Sequence, residues 1–456
     1  MENWDNYHLS NSGVSKTGEL DFVPRWATTF EHLAVMGEFE DRNALTRFIK
    51  FLSSPTVGDV WLEEAINFDR ITAPSPFGEG LLSCSESHYR GVNKLFFRSD
   101  SGEKVIVFQS ITSVDIIFFP ARHVFLAMKH PPTESLEEYY NIFEKILPYL
   151  PSKPGKFGGV LISHYFPYHF YSEAVPALER VHALGLLSNC PALYFRKGGA
   201  YFDPLVLWPD LIKCEPFEHE DLSKKDDQFF LVHGTAFDQT SLLQMTHAEN
   251  AYAKVLARSV SLIREGEKKH EFKRVASAGL SIWFGVQASK RSWLGQVEGI
   301  SSIINELRKE HDELVVVMDG WTSPLYPTAT DEKAIAADQS IVAEIMERCP
   351  GVEWVSTVGW KSADKAAIAS LIDTFVTNFG TGSLHVARLA RKPGVGHINT
   401  VLDKGDHIHY RTVCLSEGFV TDRIEDASKN ADAVSYDLDW KLVLREIKAI
   451  IATVGS

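Results

Sequence analysis

Apolar positions change their spacing several times along the chain, and the changes mark out its organisation. From about 28 to 68 they recur at three and four residues (Phe30, Leu33, Ala34, then Leu45, Phe48, Ile49, Leu52), which predicts amphipathic helix. From about 93 to 128 they come in short runs rich in β-branched and aromatic residues: NKLFFRS, EKVIVFQS, SVDIIFFP and HVFLAMK. With Asp-Ser-Gly at 100–102 between the first two, these predict a small antiparallel meander. Residues 1 to about 25 are polar, rich in Ser, Asn and Gly, and read as a loose arm.

After Pro131-Pro132 strand and helix patterns alternate. SLEEYYNIFEKILPYL reads as helix, FGGVLIS (157–163) as a short buried strand, SEAVPALERVHALGLL as helix and PALYFR (191–196) as strand. The charged stretch EHEDLSKKDDQ (218–228) is either a linker or a surface loop. From about 272 the rhythm is clearer. Strands AGLSIWFG, ELVVVMDG, GVEWVST, TFVTNFG and PGVGHIN alternate with helices QVEGISSIINELRKEH, DQSIVAEIMERC, KAAIASLI and SLHVARLAR, and LDWKLVLREIKAIIA closes the chain as helix. Such alternation predicts parallel sheets covered on both faces. The expected fold is α/β, with two Rossmann-like domains preceded by a helical and antiparallel β accessory region. The boundaries are 1–130 for the accessory region, 131–260 for the first domain and 261–456 for the second. Ligands in such folds sit beyond the carboxyl ends of strands, so the candidate residues are sought there.

The chain has 456 residues, with 46 Lys plus Arg against 60 Asp plus Glu, a formal charge of −14 that opposes non-specific binding to nucleic acid or anionic lipid. Five scattered cysteines (Cys84, Cys190, Cys214, Cys349, Cys414) read as reduced thiols, consistent with a cytoplasmic protein. The polar, acidic start predicts no secretory leader, and no run of about 18 apolar residues predicts a membrane span.

Three constellations carry candidate chemistry. In NFGTGSLHVARLARKPGVGHIN (378–399) a strand ends in glycines and a helix is expected to begin near Ser383. Thr381, Gly382, Ser383 and His385, with the free N–H groups of a first helical turn, suit a phosphate. An ordinary β–α turn capped by Ser383 would have the same residues. In FGVQASKRSW (284–293) Lys290 and Arg291 stand at the end of the first strand and can neutralise a diphosphate, although solvated cations are common in any loop. In SHYFPYHFYSEAVPALERV (163–181) His164, His169 and Glu173 cluster among aromatics. His169 and Glu173 share a helix face if the helix starts by His169, and either type can serve as a base. Packing or capping histidines are the other reading. Asp319, Gly320 and Trp321 end the VVVM strand and can flank a nucleoside. Asp406, His407 and His409, and Asp437 with Asp439, are the remaining metal-like groupings. No third ligand accompanies the former, and Asp439 reads as a helix cap, so no metal site is expected.

Taken together, SKRSW, VVVMDG and VSTVGWKSADKAAIASLIDTFVTNFGTGSLHVARLARKPGVG resemble the donor half of GT-B glycosyltransferases, and most closely the lipopolysaccharide heptosyltransferase family. That family carries a Ser-Lys-Arg-Trp-like loop, an Asn-Asp-Thr-Gly-x-x-His turn and a Lys-Pro strand. Here Gly380 replaces the acidic turn residue, and the Trp is displaced by one, to Trp293. The likeness spans about 272–400. Segment 163–181 is also similar to a stretch of another glycosyltransferase group that includes plant xylosyltransferases.

The resemblance implies transfer of a sugar from a nucleotide-diphosphate sugar to a hydroxyl of a glycan, lipid-linked glycan or protein. It further implies inversion, independence of metal, and no cofactor beyond the donor. Lys290, Arg291, Thr381, Gly382, Ser383 and His385 would hold the diphosphate, Asp319, Gly320 and Trp321 the nucleoside, and His169, Glu173 or His164 would supply the base. The site would be cytoplasmic, visiting the inner face of a membrane if the acceptor is lipid-linked. A sugar-nucleotide epimerase or hydrolase on the same plan, or a non-catalytic binding protein, are the alternatives.

Overall fold

A computed structural model describes residues 15–17, 20–23, 39–90, 92–110, 112–122, 124–128, 154–162, 166–218, 222, 227–234, 242–265, 267–289, 291–400, 411–418 and 434–454. The chain divides into two compact units. One comprises 1–164, 173–196 and 208–236, the other 165–172, 197–207 and 237–456.

In the first unit the long helical pattern resolves into α1 (Arg42–Leu52) and α2 (Val57–Phe68). They break at 53–56, where Pro55 has no N–H to donate. Asp41 caps α1 by accepting the Ala44 N–H at 2.9 Å. Residues 28–38 of that pattern, and the helix expected over SLEEYYNIFEKILPYL, lie outside the described residues.

A nine-stranded sheet contains β1 (Ser15–Thr17), β2 (Leu20–Val23), β3 (Ile71–Pro74), β4 (Leu81–Cys84), β5 (Ser87–Arg90), β6 (Val92–Arg98), β7 (Lys104–Gln109), β8 (Ile116–Phe119) and β9 (Val124–Ala127). The order is β1-β2-β9-β8-β7-β6-β4-β3, with β5 also on β6. Strands β6 to β9 are the expected meander, each antiparallel to the next. Its first turn closes with the Gly102 N–H donating to Ser99 O, and Gly102 takes a φ of 87° that glycine permits. Part of the expected loose arm is strand instead: β1 pairs with β2, and β2 runs parallel to β9. Backbone pairing to an existing edge decides this, and polar composition does not reveal it.

The same unit holds a parallel sheet of β10 (Lys156–Ile162), β11 (Leu193–Arg196), β12 (Cys214–Phe217) and β13 (Gln228–Val232), in the order β12-β11-β10-β13. Helix α3 (Val175–Ala183) lies between β10 and β11 in sequence. The charged stretch after 217 joins two strands of this one sheet, so it is a connection and not a linker. Buried Asn93 and Gln109 tie the two sheets together. Asn93 Nδ2 donates to Phe230 O at 2.9 Å, and Gln109 Oε1 accepts the Val232 N–H at 2.9 Å.

The long C-terminal stretch of the second unit begins with α4 (Leu242–Glu265) and α5 (Lys269–Ala276) and is built on six parallel strands. These are β14 (Leu280–Gly285), β15 (Leu314–Asp319), β16 (Glu353–Ser356), β17 (Thr374–Asn378), β18 (Gly394–Asn399) and β19 (Thr412–Gly418). Helices α6 (Gln296–Arg308), α7 (Ala329–Arg348), α8 (Ser362–Ala369) and α9 (Trp440–Val454) complete it. The inner strands β14, β15 and β17 read as nearly unbroken apolar runs because both faces are covered. Ile282, Phe284, Val316 and Met318 pack with Ile303, Ile304, Val342, Ile345, Val443 and Ile447 on one face. Trp283, Val315, Val317 and Phe375 pack with Phe272, Ala367, Ile368 and Val386 on the other. Each Val, Ile, Met or Phe side chain among them contributes roughly 1.5–3 kcal/mol by leaving water.

The helix expected after Ser383 is a six-residue π-helical turn, Leu384–Leu389. Helix α7 starts well before the DQSIVAEIMERC pattern, at a capping box in which Thr328 and Asp331 bind each other's backbone N–H groups. Among the described residues no helix is long and apolar enough to cross a membrane.

Candidate functional site

The strand order β16-β15-β14-β17-β18-β19 is, counted along the chain, 3-2-1-4-5-6. The chain leaves β14 toward β15 on one side, and β17 leads to β18 on the other. The carboxyl ends of β14 and β17 therefore form a topological switch point, the crevice where open parallel sheets bind ligands. Three loops border it: 286–295 after β14, 320–328 after β15 and 379–383 after β17.

These loops are tied to one another. Asn378 Nδ2 donates to Gln287 Oε1 at 2.5 Å, joining the β17 end to the β14 loop. Gln296 grips Gln287 twice: its Oε1 accepts the Gln287 N–H at 3.1 Å and its Nε2 donates to Gln287 O at 3.0 Å. The Val286 N–H donates to Asp319 O at 2.9 Å. The glycines of the β17 loop are required by geometry. Gly380 has φ 106°, and a Cβ on Gly382 would lie 2.1 Å from Asn378 Oδ1.

Of the two cations, Lys290 lies outside the described residues, whereas Arg291 is half-buried with a left-handed φ of 58°. Its buried Nε has no hydrogen-bond partner among the described residues. Nearby, Tyr436 Oη meets His397 Nδ1 at 2.7 Å and donates to His397 O at 3.1 Å. Burial holds His397 far below the usual histidine range, at about 3, so the ring is neutral. Burial also raises the Tyr436 phenol, and Arg291 opposes that rise.

Asp319, read as a nucleoside contact, is 4% exposed and its carboxylate is committed. It receives Lys365 Nζ at 2.5 Å and Thr357 Oγ1 at 2.9 Å. Lys365, itself fully buried, also donates to Gly320 O at 2.8 Å and Trp321 O at 3.2 Å. Desolvation raises the Asp319 carboxyl and lowers the Lys365 ammonium, while the pair's attraction opposes both shifts. Trp321 is half-buried and its indole N–H donates to Asp331 at 3.0 Å.

Thr381 and Gly382 are partly exposed, and Ser383 is buried with Oγ donating to Gly380 O at 3.0 Å. His385 is also buried. Its Nε2 meets Ser362 Oγ at 2.8 Å, and Ser362 in turn meets Tyr171 Oη at 2.6 Å. Burial first, then the Lys365 charge, keeps His385 neutral. Arg388 donates to Ser172 Oγ at 2.6 Å and lies over the rings of Tyr168 and Tyr252.

His164 lies outside the described residues, as do Asp406, His407 and His409. His169 is half-buried at the end of a single helical turn, Pro167–His169, with its ring edge-on to Tyr168 at 5.4 Å. Glu173 is 3% exposed within the π-helical turn Phe170–Ala174. The wider i→i+5 spacing of that turn breaks the simple i, i+4 alignment expected for the two residues. They also fall in different units. Asp439 caps α9 by accepting the Lys441 N–H at 2.9 Å. Among the described residues no three His, Cys, Asp or Glu side chains gather as a metal site.

The structure thus brings Arg291, the ends of β15 and β17, and the Thr381–Ser383 loop to one sheet edge. Sequence reasoning missed Lys365, Ser362, Gln287 and Asp338, which position these loops.

No family model matches the chain, and no curated protein matches it. Among solved structures it is similar to the ADP-heptose lipopolysaccharide heptosyltransferase II of E. coli, with 11% identity and a TM-score of 0.39 over 65% of this chain and 99% of that one. It is also similar to a family 9 glycosyl transferase from Veillonella parvula (11% identity, TM-score 0.31, 72% and 81% covered). A third is S. aureus MnaA determined with UDP (11% identity, TM-score 0.25, 61% and 71% covered). The family that residues 272–400 resemble is therefore also among these structures.

Proposed function

We propose that the chain is a glycosyltransferase of the GT-B plan that binds a nucleotide-diphosphate sugar at the switch point between β14 and β17. The observation that supports this is the tie, at that crevice, between Gln287 of the β14 loop, which goes on to Arg291, and Asn378, which immediately precedes the glycine loop 379–383. Arg291, with an unsatisfied buried Nε, and Lys290 would neutralise the diphosphate. The Thr381 hydroxyl and the amides of Thr381 to Ser383 would donate to its oxygens. Together they would stabilise the charge that develops on the leaving nucleotide, a role for which no divalent metal is then needed. Gly320 and Trp321 are the proposed nucleoside wall. The proposed base is in the 164–173 segment, with His169 first. It would take the acceptor hydroxyl proton as the oxygen attacks the anomeric carbon from the face opposite the departing nucleotide, inverting that centre.

Thermal shift and calorimetry with UDP, GDP, ADP, TDP and CMP, with and without EDTA, test the donor site. One nucleotide is expected to raise the melting temperature, since a ligand at 100 times its Kd stabilises by about 2.7 kcal/mol. The shift should survive chelation. In Arg291→Ala affinity should fall about 10- to 150-fold, the worth of a lost charge-assisted hydrogen bond of about 1.5–3 kcal/mol. A folded protein that answers to none of the five, or an Arg291→Ala variant that binds as well as the wild type, refutes the assignment.

A further inference from the structure

Two of the loops that border the crevice are held by one carboxylate. Asp338 projects from α7 and is 4% exposed. Its Oδ1 accepts the Ala288 N–H at 2.8 Å, and its Oδ2 accepts the Trp321 N–H at 2.7 Å. Ala288 precedes Arg291 by three residues, so the bond fixes the backbone of the loop that leads to Arg291. The β15 loop approaches closely enough that a Cβ on Gly320 would stand 2.8 Å from Asp338 Cβ and 2.8 Å from its Oδ2. A bulkier residue at 320 would break the bridge.

We propose that Asp338 is a positioning residue for the nucleotide site, holding the Ala288 end of the Arg291 loop in register with the Gly320–Trp321 loop when ionised and releasing one of them when protonated. This rests on the nucleotide-site reading given above. The chemistry is specific to a carboxylate, which offers one acceptor oxygen to each N–H. A carboxylic acid or an amide offers one acceptor and one donor, and the donor side faces an N–H it cannot bond. The switch falls in an accessible range. Burial, opposed by the two amide bonds, pushes the Asp338 carboxyl up to about 6. The charged groups acting on it are Asp319 from β15, which disfavours ionisation, and Lys365 from α8, which favours it. Arg291 lies farther along the bridged loop, and Asp331, one helical stretch earlier on α7, is engaged with Thr328 and Trp321.

Amide hydrogen exchange at residues 286–289 and 319–322, corrected for intrinsic rates, reads the bridge directly. It is compared at pH 7.5 and 5.2 in the full chain and in Asp338→Asn, alongside calorimetric affinities for UDP, GDP, ADP and TDP. The wild type is expected to lose about tenfold protection at Ala288 or Trp321 at pH 5.2, the worth of about 1.4 kcal/mol, and its nucleotide affinity to fall in parallel. Asp338→Asn should show the loosened pattern at both pH values and an affinity that changes between them less than the wild type's, the terminal phosphate of each nucleotide titrating equally in both proteins. Weaker binding at pH 5.2 cannot be laid to this group unfolding the protein. Its raised pKa contributes stability that is present at low pH and lost as pH rises from 3.8 to about 6. Protection that is equal at both pH values, or an affinity that falls with protection intact, overturns the proposal. If Asp338→Asn does not fold, the wild-type pH series decides alone. If no nucleotide binds at either pH, the nucleotide-site reading fails, and loosening of 288 or 321 still decides whether Asp338 clamps the loops.

Discussion

Replacing Lys365 by methionine isolates the energetic weight of the charge buried beneath the crevice. Methionine keeps the stem volume and removes the ammonium, so lost packing contributes little. What is lost is the 2.5 Å pair with Asp319 and two bonds to the carbonyls of Gly320 and Trp321, at a position with no exposure. An exposed pair would be worth at most about 1 kcal/mol. Breaking a buried one strands a charge in a low-dielectric site and costs about 3–5 kcal/mol. Lys365→Met should lose that much in urea denaturation at pH 7.5. Its deficit should shrink at pH 5, because an orphaned Asp319 has its pKa raised further and regains stability by taking a proton. Asp319→Asn combined with Lys365→Met should recover part of the loss, since neither buried charge remains. A single variant within about 1 kcal/mol of wild type, or a double variant less stable than the single, would show that the pair does not carry this weight.

Two further outcomes follow from the same sheet edge. His397, held at about 3, should show no imidazole titration between pH 5 and 8 by NMR. The unfolded ring takes up a proton below about 6.5 and the folded one does not, so His397 should make stability fall by about 1.4 kcal/mol per pH unit well below 6.5. Titration of His397 near 6.5 would contradict its burial. Gly382→Ala places a Cβ 2.1 Å from Asn378 Oδ1 and should break the Asn378–Gln287 tie. About 1–3 kcal/mol of stability and the nucleotide-induced thermal shift should be lost together, and an unaltered shift would show that this loop does not touch the ligand.

The inner strands β14, β15 and β17 were legible because both their faces are buried: SIWF, VVVM and FVT need no partner to be read as sheet interior. β19 was not, since its run TVCLSEG alternates polar and apolar residues and leaves Val413 38% exposed. Strand order was not legible either, and it is the order that makes a switch point of the two loops. The early start of α7 was readable in principle, from Thr328-x-x-Asp331. Within the site, glycines and paired cations announce themselves in sequence. Lys365, Ser362 and Asp338 do not, because a polar residue on an amphipathic helix looks solvated until the sheet shows which way it faces. The π-helical turns at 170–174 and 384–389 have no composition of their own, and the 384–389 segment reads as ordinary helix.

The second unit is assembled from three stretches of chain, and two of them arrive from within the first unit's sequence. Segment 165–172 delivers Tyr171 to Ser362 and Ser172 to Arg388. Segment 197–207 delivers the Ala200 carbonyl to the Leu325 N–H and the Gly198 N–H to the Tyr326 carbonyl. A fragment cut at 237 would therefore begin life with two buried hydroxyl and guanidinium partners missing and with an unpaired backbone run. Ribosomal synthesis meets the same order: residues 165–172 and 197–207 leave the ribosome long before the sheet that receives them exists. Supplied in trans, a peptide covering 165–207 should act on such a fragment as a missing piece of its core.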